Sequence, residues 1–371
     1  MKKILFITPF TPSEIGAAVK FTKKTIEMLA QSYKIDLIYF KTEGETAYLP
    51  YNENVNVVGV YNVSLKDRLL SIIKKPWLYP LFAVRYRKKI TRYIKEIYNS
   101  NNYDLIFLDH SQSFIYGKFF QGTPKILMSH DVIYQRVSRV SMKLISWWCH
   151  RTEFRMLHQE NSHIFTFSTK DQEIIKRFYG LDSYVTCGNI DEEAIKVVPQ
   201  RITDDYIFFG HWGRKDNSEG LEWFLKDVYP LIPEYVKIKI IGKGLSAPLC
   251  DYVKGLERVE YLGFVDNPYN IIANCKAVLS PLFRGAGVKF KVLESIACGT
   301  PVIGSEIAFE GIPEDYKDFM INAITPNDYV KEILSVDYDV KSRMNMKNKF
   351  IREYFNPYIV KHIHTVLDKQ E

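Results

Sequence analysis

The run from Ser280 to Ile303 reads SPLFRGAGVKFKVLESIACGTPVI and holds the strongest chemical signal in the chain. Gly285, Ala286 and Gly287 form a small-residue loop, and Val292, Leu293 and Ile296 then share one helical face. A glycine loop feeding a helix N-terminus is an anion site. Small residues let the backbone approach closely, and the first N–H groups of the helix face the ligand. Arg284, Lys289 and Lys291 add positive charge there, so a diphosphate is the well-matched ligand. Glu294 follows on the same helix, where a carboxylate can accept hydrogen bonds from neighbouring hydroxyls of a ribose or hexose. A glycine turn followed by a surface glutamate is the plain alternative, and a bare G-x-G does not choose between them. Gly299 fits the end of the helix, and Pro301 opens the next strand.

Further polar residues stand where apolar runs end: Asp109-His110-Ser111, Ser129-His130-Asp131, and Ser168-Thr169-Lys170. In open α/β sheets, ligands bind beyond the carboxyl ends of the strands. Asp109, His110, His130, Asp131 and Ser168 are therefore candidates for chemistry, and equally for helix caps and turns. No His, Cys or acidic spacing matches a zinc site. Asp337-Tyr338-Asp339 has a D-x-D spacing but sits late, in an expected surface region, so no metal site is expected.

These residues need a scaffold of parallel strands. Lys3–Thr8 reads as a buried strand, with a loop to Gly16, a helix near Ala17–Ser32 and a second strand at Lys34–Phe40. Strands are expected again at Tyr103–Leu108, Lys125–Met128 and Ile164–Phe167. A second series follows at Tyr206–Gly210, Val236–Ile241, Val259–Gly263, Ala277–Ser280 and Pro301–Gly304, with a helix over Leu221–Val228. The last segment, Ile351–Leu367, reads as partly helical with Pro357 as a break or start. The expected architecture is α/β with two Rossmann-like domains. The domains expected are residues 1–194 and 195–345, with 346–371 as a C-terminal helical segment.

Composition fits that reading. A chain of 371 residues is long for one core. Lys and Arg outnumber Asp and Glu by 50 to 43, which favours an anionic partner. No zinc-finger spacing or RNP motif supports nucleic acid. The five cysteines are scattered without a CxxC pair and read as reduced cytosolic thiols. The N-terminal apolar run is short and stopped by Pro9, unlike a signal peptide, and no run reaches the length of a membrane span. A cytoplasmic protein is expected, with peripheral contact at the inner face of the cell membrane left open. The segment Ser71–Ile97 mixes Ile72, Ile73, Trp77, Leu78 and Phe82 with many basic residues, as does Lys143–Arg155. Such mixtures suit an anionic bilayer surface; a core with a solvated basic face is the alternative.

The string Pro281–Ile303, with Glu310-Gly311-Ile312 after it, closely resembles the donor-binding signature of the retaining glycosyltransferase family 4, the glycosyl transferases group 1. Looser similarity covers Lys3–Pro12 with Gly16, Phe208–Pro230, Ile240–Gly244 and Leu262–Asp266. The resemblance implies the GT-B fold, two Rossmann-like domains facing across a deep cleft, with residues 1–194 as the N-terminal acceptor-side domain, 195–345 as the donor domain, and the segment 346–371 packing back on the first. It implies that Gly287, Val288 and Lys289, with Arg284, Gly285 and Ala286, hold the donor diphosphate, and Glu294 the ribose hydroxyls. Gly16 would approach from the first domain, Gly263 and Phe264 would flank the base, and His130 would lie near the transferred sugar. The family commonly has two glutamates separated by seven residues; Ala286 stands at the first position here. The usual Arg and Lys phosphate pair is also not evident in Gly210–Asn217, where Arg214 or Lys215 could substitute and His211 or Trp212 could line the cleft.

The implied activity is sugar transfer from a nucleotide-diphosphate sugar to a glycan or lipid-linked saccharide, with retention and without a metal or other cofactor. His130, Lys289 and Glu294 would serve the reaction. A nucleotide-sugar epimerase of the same fold and a non-catalytic glycan-binding protein are the alternatives. A dehydrogenase lacks its G-x-G-x-x-G after the first strand, and no P-loop occurs.

Overall fold

The computed structural model describes residues 1–14, 16–187, 190–354 and 358–368. It divides into two compact units, Met1–Gly188 with Pro357–Glu371, and Asn189–Asn356. Each is a wholly parallel sheet with helical crossovers, the arrangement that buries both faces of near-continuous apolar strands.

The first sheet runs in the order β3-β2-β1-β4-β5-β6-β7. Its strands are β1 Lys3–Thr8, β2 Lys34–Lys41, β3 Val55–Asn62, β4 Leu105–Asp109, β5 Lys125–Met128, β6 Ser162–Thr166 and β7 Ser183–Val185. The helices between them are α1 Ala17–Leu29, α2 Leu65–Lys74, α3 Pro80–Ala83, α4 Lys88–Asn99, α5 Ile133–Ser138, α6 Lys143–Leu157 and α7 Thr169–Tyr179. Leu5, Ile7, Ile38, Ile106, Leu108 and Leu127 are wholly buried in its main core. The sheet reverses direction of growth between β1 and β4, which opens a crevice at their carboxyl ends.

The second sheet repeats that order as β10-β9-β8-β11-β12-β13. Its strands are β8 Asp205–Phe209, β9 Lys237–Ile241, β10 Val259–Gly263, β11 Ala277–Ser280, β12 Val302–Gly304 and β13 Met320–Asn322. Its helices are α8 Glu192–Lys196, α9 Lys215–Trp223, α10 Ala247–Lys254, α11 Tyr269–Asn274, α12 Phe290–Ala297, α13 Pro326–Ser335 and α14 Val340–Tyr354. Here the reversal lies between β8 and β11.

The unit boundaries differ from 194/195 and 345/346. α8 belongs to the second unit because Asp191 accepts from Tyr269 at 2.9 Å and Lys347 donates to the Ala194 carbonyl at 3.1 Å. α14 stays there as well. The buried Arg343 guanidinium donates to the Cys275 and Lys276 carbonyls at 2.8 and 2.7 Å, and Lys347 also reaches the Ala297 carbonyl. The last helix, α15 Tyr358–Asp368, packs on the first unit, with His364 Nδ1 3.2 Å from Tyr33 Oη and His362 Nε2 3.0 Å from the Val185 carbonyl. Pro357 lies outside the described residues.

Helix α9 begins at Lys215, well before the expected Leu221; its first turns are polar and show no apolar period by which the sequence could mark them, and a π-turn at Phe224–Val228 follows it. Its middle packs directly on the end of β11. A Cβ on Gly220 would stand 1.7 Å from the Pro281 carbonyl oxygen. The turns after β8 and β9 meet as closely: a Cβ on Gly242, whose φ is +121°, would stand 1.7 Å from the Gly210 oxygen. Gly242→Ala combines a left-handed backbone with backbone overlap, so it lowers unfolding free energy by about 3 kcal/mol or more in urea titration. A loss below about 1 kcal/mol, the ordinary cost of a mild surface change, would refute that close approach.

Candidate functional sites

In the second unit, two helix N-termini meet at the β8/β11 reversal. β11 ends at the buried Ser280, and the chain passes through Gly285 and Gly287 at φ +124° and +68°. No L side chain adopts the first readily, and the second is the left-handed well that glycine fills without strain. Lys289 caps α12 with extended backbone. Its side chain, 13% exposed, donates to the Gly287 carbonyl and lies 3.8 Å from the buried Glu310 carboxylate. The ammonium is thus folded back over the loop, beside the first amides of α12.

Lys291 reaches across to α9, donating to Asn217 at 3.1 Å, and Asn217 donates to the His211 carbonyl at 2.9 Å. Desolvation, then the nearby Lys289 and Arg214 charges, press its pKa down to about 7. Cations gathered at a helix N-terminus make a place where both the dipole and their mutual repulsion favour a bound anion. Arg284 is placed differently. It donates to Glu219 on α9 at 2.6 Å, so its charge is already paired. Ala286 is half-buried in the loop, Val288 is buried beneath it, and Glu294 lies half-buried on the second turn of α12.

The neighbouring turns frame the same end of the sheet. Gly263 ends β10 at φ +68°, and Phe264 beyond it is 54% exposed, with Lys243 Nζ 5.7 Å from its ring centre. His211 is exposed, whereas Trp212 is buried against Phe208 and is a core residue, not a lining one. Arg214 caps α9 and pairs with Asp216 at 3.1 Å; Lys215 begins that helix in solvent. Asp337-Tyr338-Asp339 is structural: Asp339 caps α14 through the Ser342 amide, and Tyr338 donates to the Asp318 carbonyl.

The first unit has its own cluster at the β1/β4 reversal. Asp109, wholly buried at the end of β4, accepts from His130 Nε2 at 2.7 Å and from the Thr8 and Thr22 hydroxyls at 3.0 and 2.6 Å. Burial alone would raise the Asp109 pKa; His110, His130 and the hydroxyl bonds outweigh it and hold the carboxyl below its usual range. An ionised carboxylate only accepts, so His130 carries its proton on Nε2 and, when neutral, keeps its lone pair on Nδ1. The ring is wedged edge-on between Phe21 and Phe167 and stacks on His110, with centroids 3.4 Å apart.

His110 sits in the left-handed region at φ +60°, which few non-glycine residues adopt, and among the described residues its buried Nε2 has no hydrogen-bond partner. Desolvation, with His130 beside it, pushes its pKa down despite Asp109, so it is neutral at neutral pH. Neither the left-handed backbone nor the stacking has a signature in the sequence. Glu153 was equally invisible. From α6 it accepts the Ile133 and Tyr134 amides, both at 2.8 Å, and the Tyr179 hydroxyl at 2.7 Å, fixing the loop that carries His130.

Asp109, His110 and His130 also present ligand atoms within 4.8 Å of one another, close enough for a metal ion. Face-stacked rings send their in-plane lone pairs in parallel rather than to one point, and Asp109 already has three donors. A positioning network accounts for this geometry. Ser168 caps α7 through the Asp171 amide, and Asp131 pairs with Arg136 at 3.3 Å. Gly16, with φ +113°, caps the N-terminus of α1 at the same end of the sheet.

Residues 203–337 match the family model described as Glycosyl transferases group 1. Among solved structures, the chain is similar to sucrose-phosphate synthase from Thermosynechococcus elongatus, with 14% identity and a TM-score of 0.72 over 100% of this chain and 99% of that one. HepE of Anabaena, in complex with UDP, gives 16% and 0.67 over 98% and 100%. WaaG, a glycosyltransferase involved in lipopolysaccharide biosynthesis, gives 13% and 0.68 over 97% and 99%. No curated protein matches the chain. The fold is that of the GT-B proteins, two Rossmann-like α/β domains. The second unit carries a glycosyl transferases group 1 domain, and the protein is an enzyme of the glycosyltransferase class.

Proposed function

We propose that the protein moves a sugar from a nucleotide-diphosphate sugar to a glycan or lipid-linked saccharide, with retention of anomeric configuration. The observation that carries this reading is the pair of cations, Lys289 and Lys291, set at the glycine loop and N-terminus of α12. Glycosyl transfer places negative charge on the departing diphosphate. Fixed amides and cations stabilise that charge without rearranging during the reaction. Protein groups then do the work that a metal would otherwise do, and the reaction proceeds without one. We assign Glu294 to the ribose hydroxyls, Phe264 with Gly263 to the base, and the Gly285–Val288 loop to the diphosphate. The second unit is the donor domain, and the first, with His130 and Gly16, the acceptor-side domain. HepE has been solved with UDP-glucose, so uridine nucleotides are the first donors to try. A lipid-linked acceptor would bring the enzyme to an anionic membrane surface.

Calorimetry with a panel of nucleoside diphosphates and their sugars, with magnesium or with EDTA, tests this. Selective binding that survives EDTA supports it; binding only with magnesium refutes metal independence, and no binding at all refutes the donor site.

Lys291 adds a pH signature. Its ammonium is destabilised in the free protein, and a bound diphosphate stabilises it, so binding raises its pKa and takes up a proton above pH 7. Affinity for UDP-glucose, whose phosphate diester does not titrate near neutrality, therefore falls as pH rises, by up to about tenfold per unit. Lys291→Met flattens the profile. A wild-type affinity constant between pH 7 and 9 would remove Lys291 from the phosphate site.

A further inference from the structure

Helix α2 is turned the wrong way for an ordinary surface helix. Such helices bury their apolar stripe and expose the polar one. Here Ser71 is buried, donating to the Tyr86 carbonyl at 2.6 Å, while Leu65, Leu69 and Ile73 are 76%, 62% and 70% exposed. Those three stand four residues apart, on one face. The stripe runs on into Trp77, also exposed, whose carbonyl accepts from Trp148 of α6 at 3.2 Å. On α6, Leu144 and Trp147 are exposed in turn. Trp77 therefore joins the outer faces of the two helices into one apolar surface.

The charge around it is predominantly positive. Residues 63–94 carry Lys66, Arg68, Lys74, Lys75, Arg87, Lys88, Lys89 and Arg92, besides the buried Arg85, against the single acid Asp67, which lies 3.5 Å from Arg87. Residues 132–152 carry Arg136, Arg139, Lys143 and Arg151; of the flanking acids, Asp131 pairs with Arg136 and Glu153 is buried. Lys75 lies over the Trp77 ring and Arg151 over the Trp147 ring, at 5.1 and 5.4 Å. Each tryptophan thus carries a cation at its side, the pairing that suits a headgroup boundary where one end is apolar and the other anionic. Among the described residues no helix is long and apolar enough to cross a membrane, so this face would lie on a bilayer rather than span it.

We propose that the α2–Trp77–α6 face is a docking surface for an anionic lipid bilayer. Leu65, Leu69, Ile73, Trp77, Leu144 and Trp147 enter the headgroup boundary, and the surrounding Lys and Arg side chains bind lipid phosphates. The proposal names the surface behind the membrane-side acceptor reading, on which its purpose rests, but its test does not pass through catalysis.

Flotation of the full chain with vesicles of phosphatidylcholine alone, or with phosphatidylglycerol added, is the experiment. We expect recovery with the anionic vesicles only, weakened by salt. Leu69→Ser/Ile73→Ser and Trp147→Ser each reduce it at least about tenfold, with nucleotide affinity unchanged. Equal recovery of the variants, or equal recovery with neutral vesicles, overturns the proposal. So does a vesicle-free dimer, seen by light scattering, that the same substitutions dissolve, because the face would then join two copies. A chain that floats but binds no nucleotide would defeat the transferase site and leave this surface standing.

Discussion

Lys289→Ala weakens nucleoside-diphosphate binding by about 10- to 100-fold, the loss expected when one charged hydrogen bond to a phosphate disappears. The side chain folds over its own glycine loop, next to the α12 amides, so a phosphate there meets cation and helix terminus together. Glu310, buried 3.8 Å away, supplies the competing account: the lysine could serve only to neutralise that carboxylate. The two accounts part at Glu310→Gln. If Lys289 binds phosphate, this variant frees the ammonium and binding stays the same or tightens. If Lys289 is merely a counter-ion, Lys289→Ala destabilises folding while calorimetric affinity of the folded protein is unchanged, and the phosphate assignment fails. Melting curves for both variants separate the two effects.

The parts of the fold that were legible are those that local chemistry dictates. Lys3–Thr8, Lys125–Met128, Val259–Gly263 and Ala277–Ser280 are strands over the residues expected, because short apolar runs bounded by polar or glycine residues leave little choice of ends. β3 escaped notice. Its sequence VNVVGVYN is interrupted by Gly59 and Asn56, and it lies at the sheet edge, half exposed, where no strong apolar pattern is required. α12 begins at Phe290 rather than Val288, since the loop needs Lys289 extended to cap it. The fate of Arg284 was out of reach for a different reason. Whether a loop cation faces a ligand or a neighbouring helix depends on Glu219, sixty-five positions away, and on Gly220 letting α9 press against Pro281. The histidine pair shows the same limit. His130 could be placed at a strand end, but the Asp109 bond and the stacked His110 arise from register between β4 and β5.

Glu294→Ala reduces kcat/KM for the nucleotide sugar by about 100-fold, more than Glu294→Gln, whose amide keeps an acceptor for one of two hydroxyls. The position is suited to that task. Glu294 lies one turn beyond the first residue of α12, half-buried and held by a helix rather than a loop. Alanine preserves the helix, because no residue favours it more. The decisive comparison uses 2′-deoxyuridine diphosphate. Wild type loses affinity for it relative to UDP, and Glu294→Ala does not, since the partner of the missing hydroxyl is already gone; the coupling between the two deletions is the signature of a direct contact. Should both proteins lose equally, or should Glu294→Ala turn over the nucleotide sugar at the wild-type rate, the ribose is held elsewhere. A direct contact also predicts which constant moves. Binding energy lost equally from ground and transition states raises KM and leaves kcat, whereas a fall in kcat would place Glu294 against the departing diphosphate or the sugar itself.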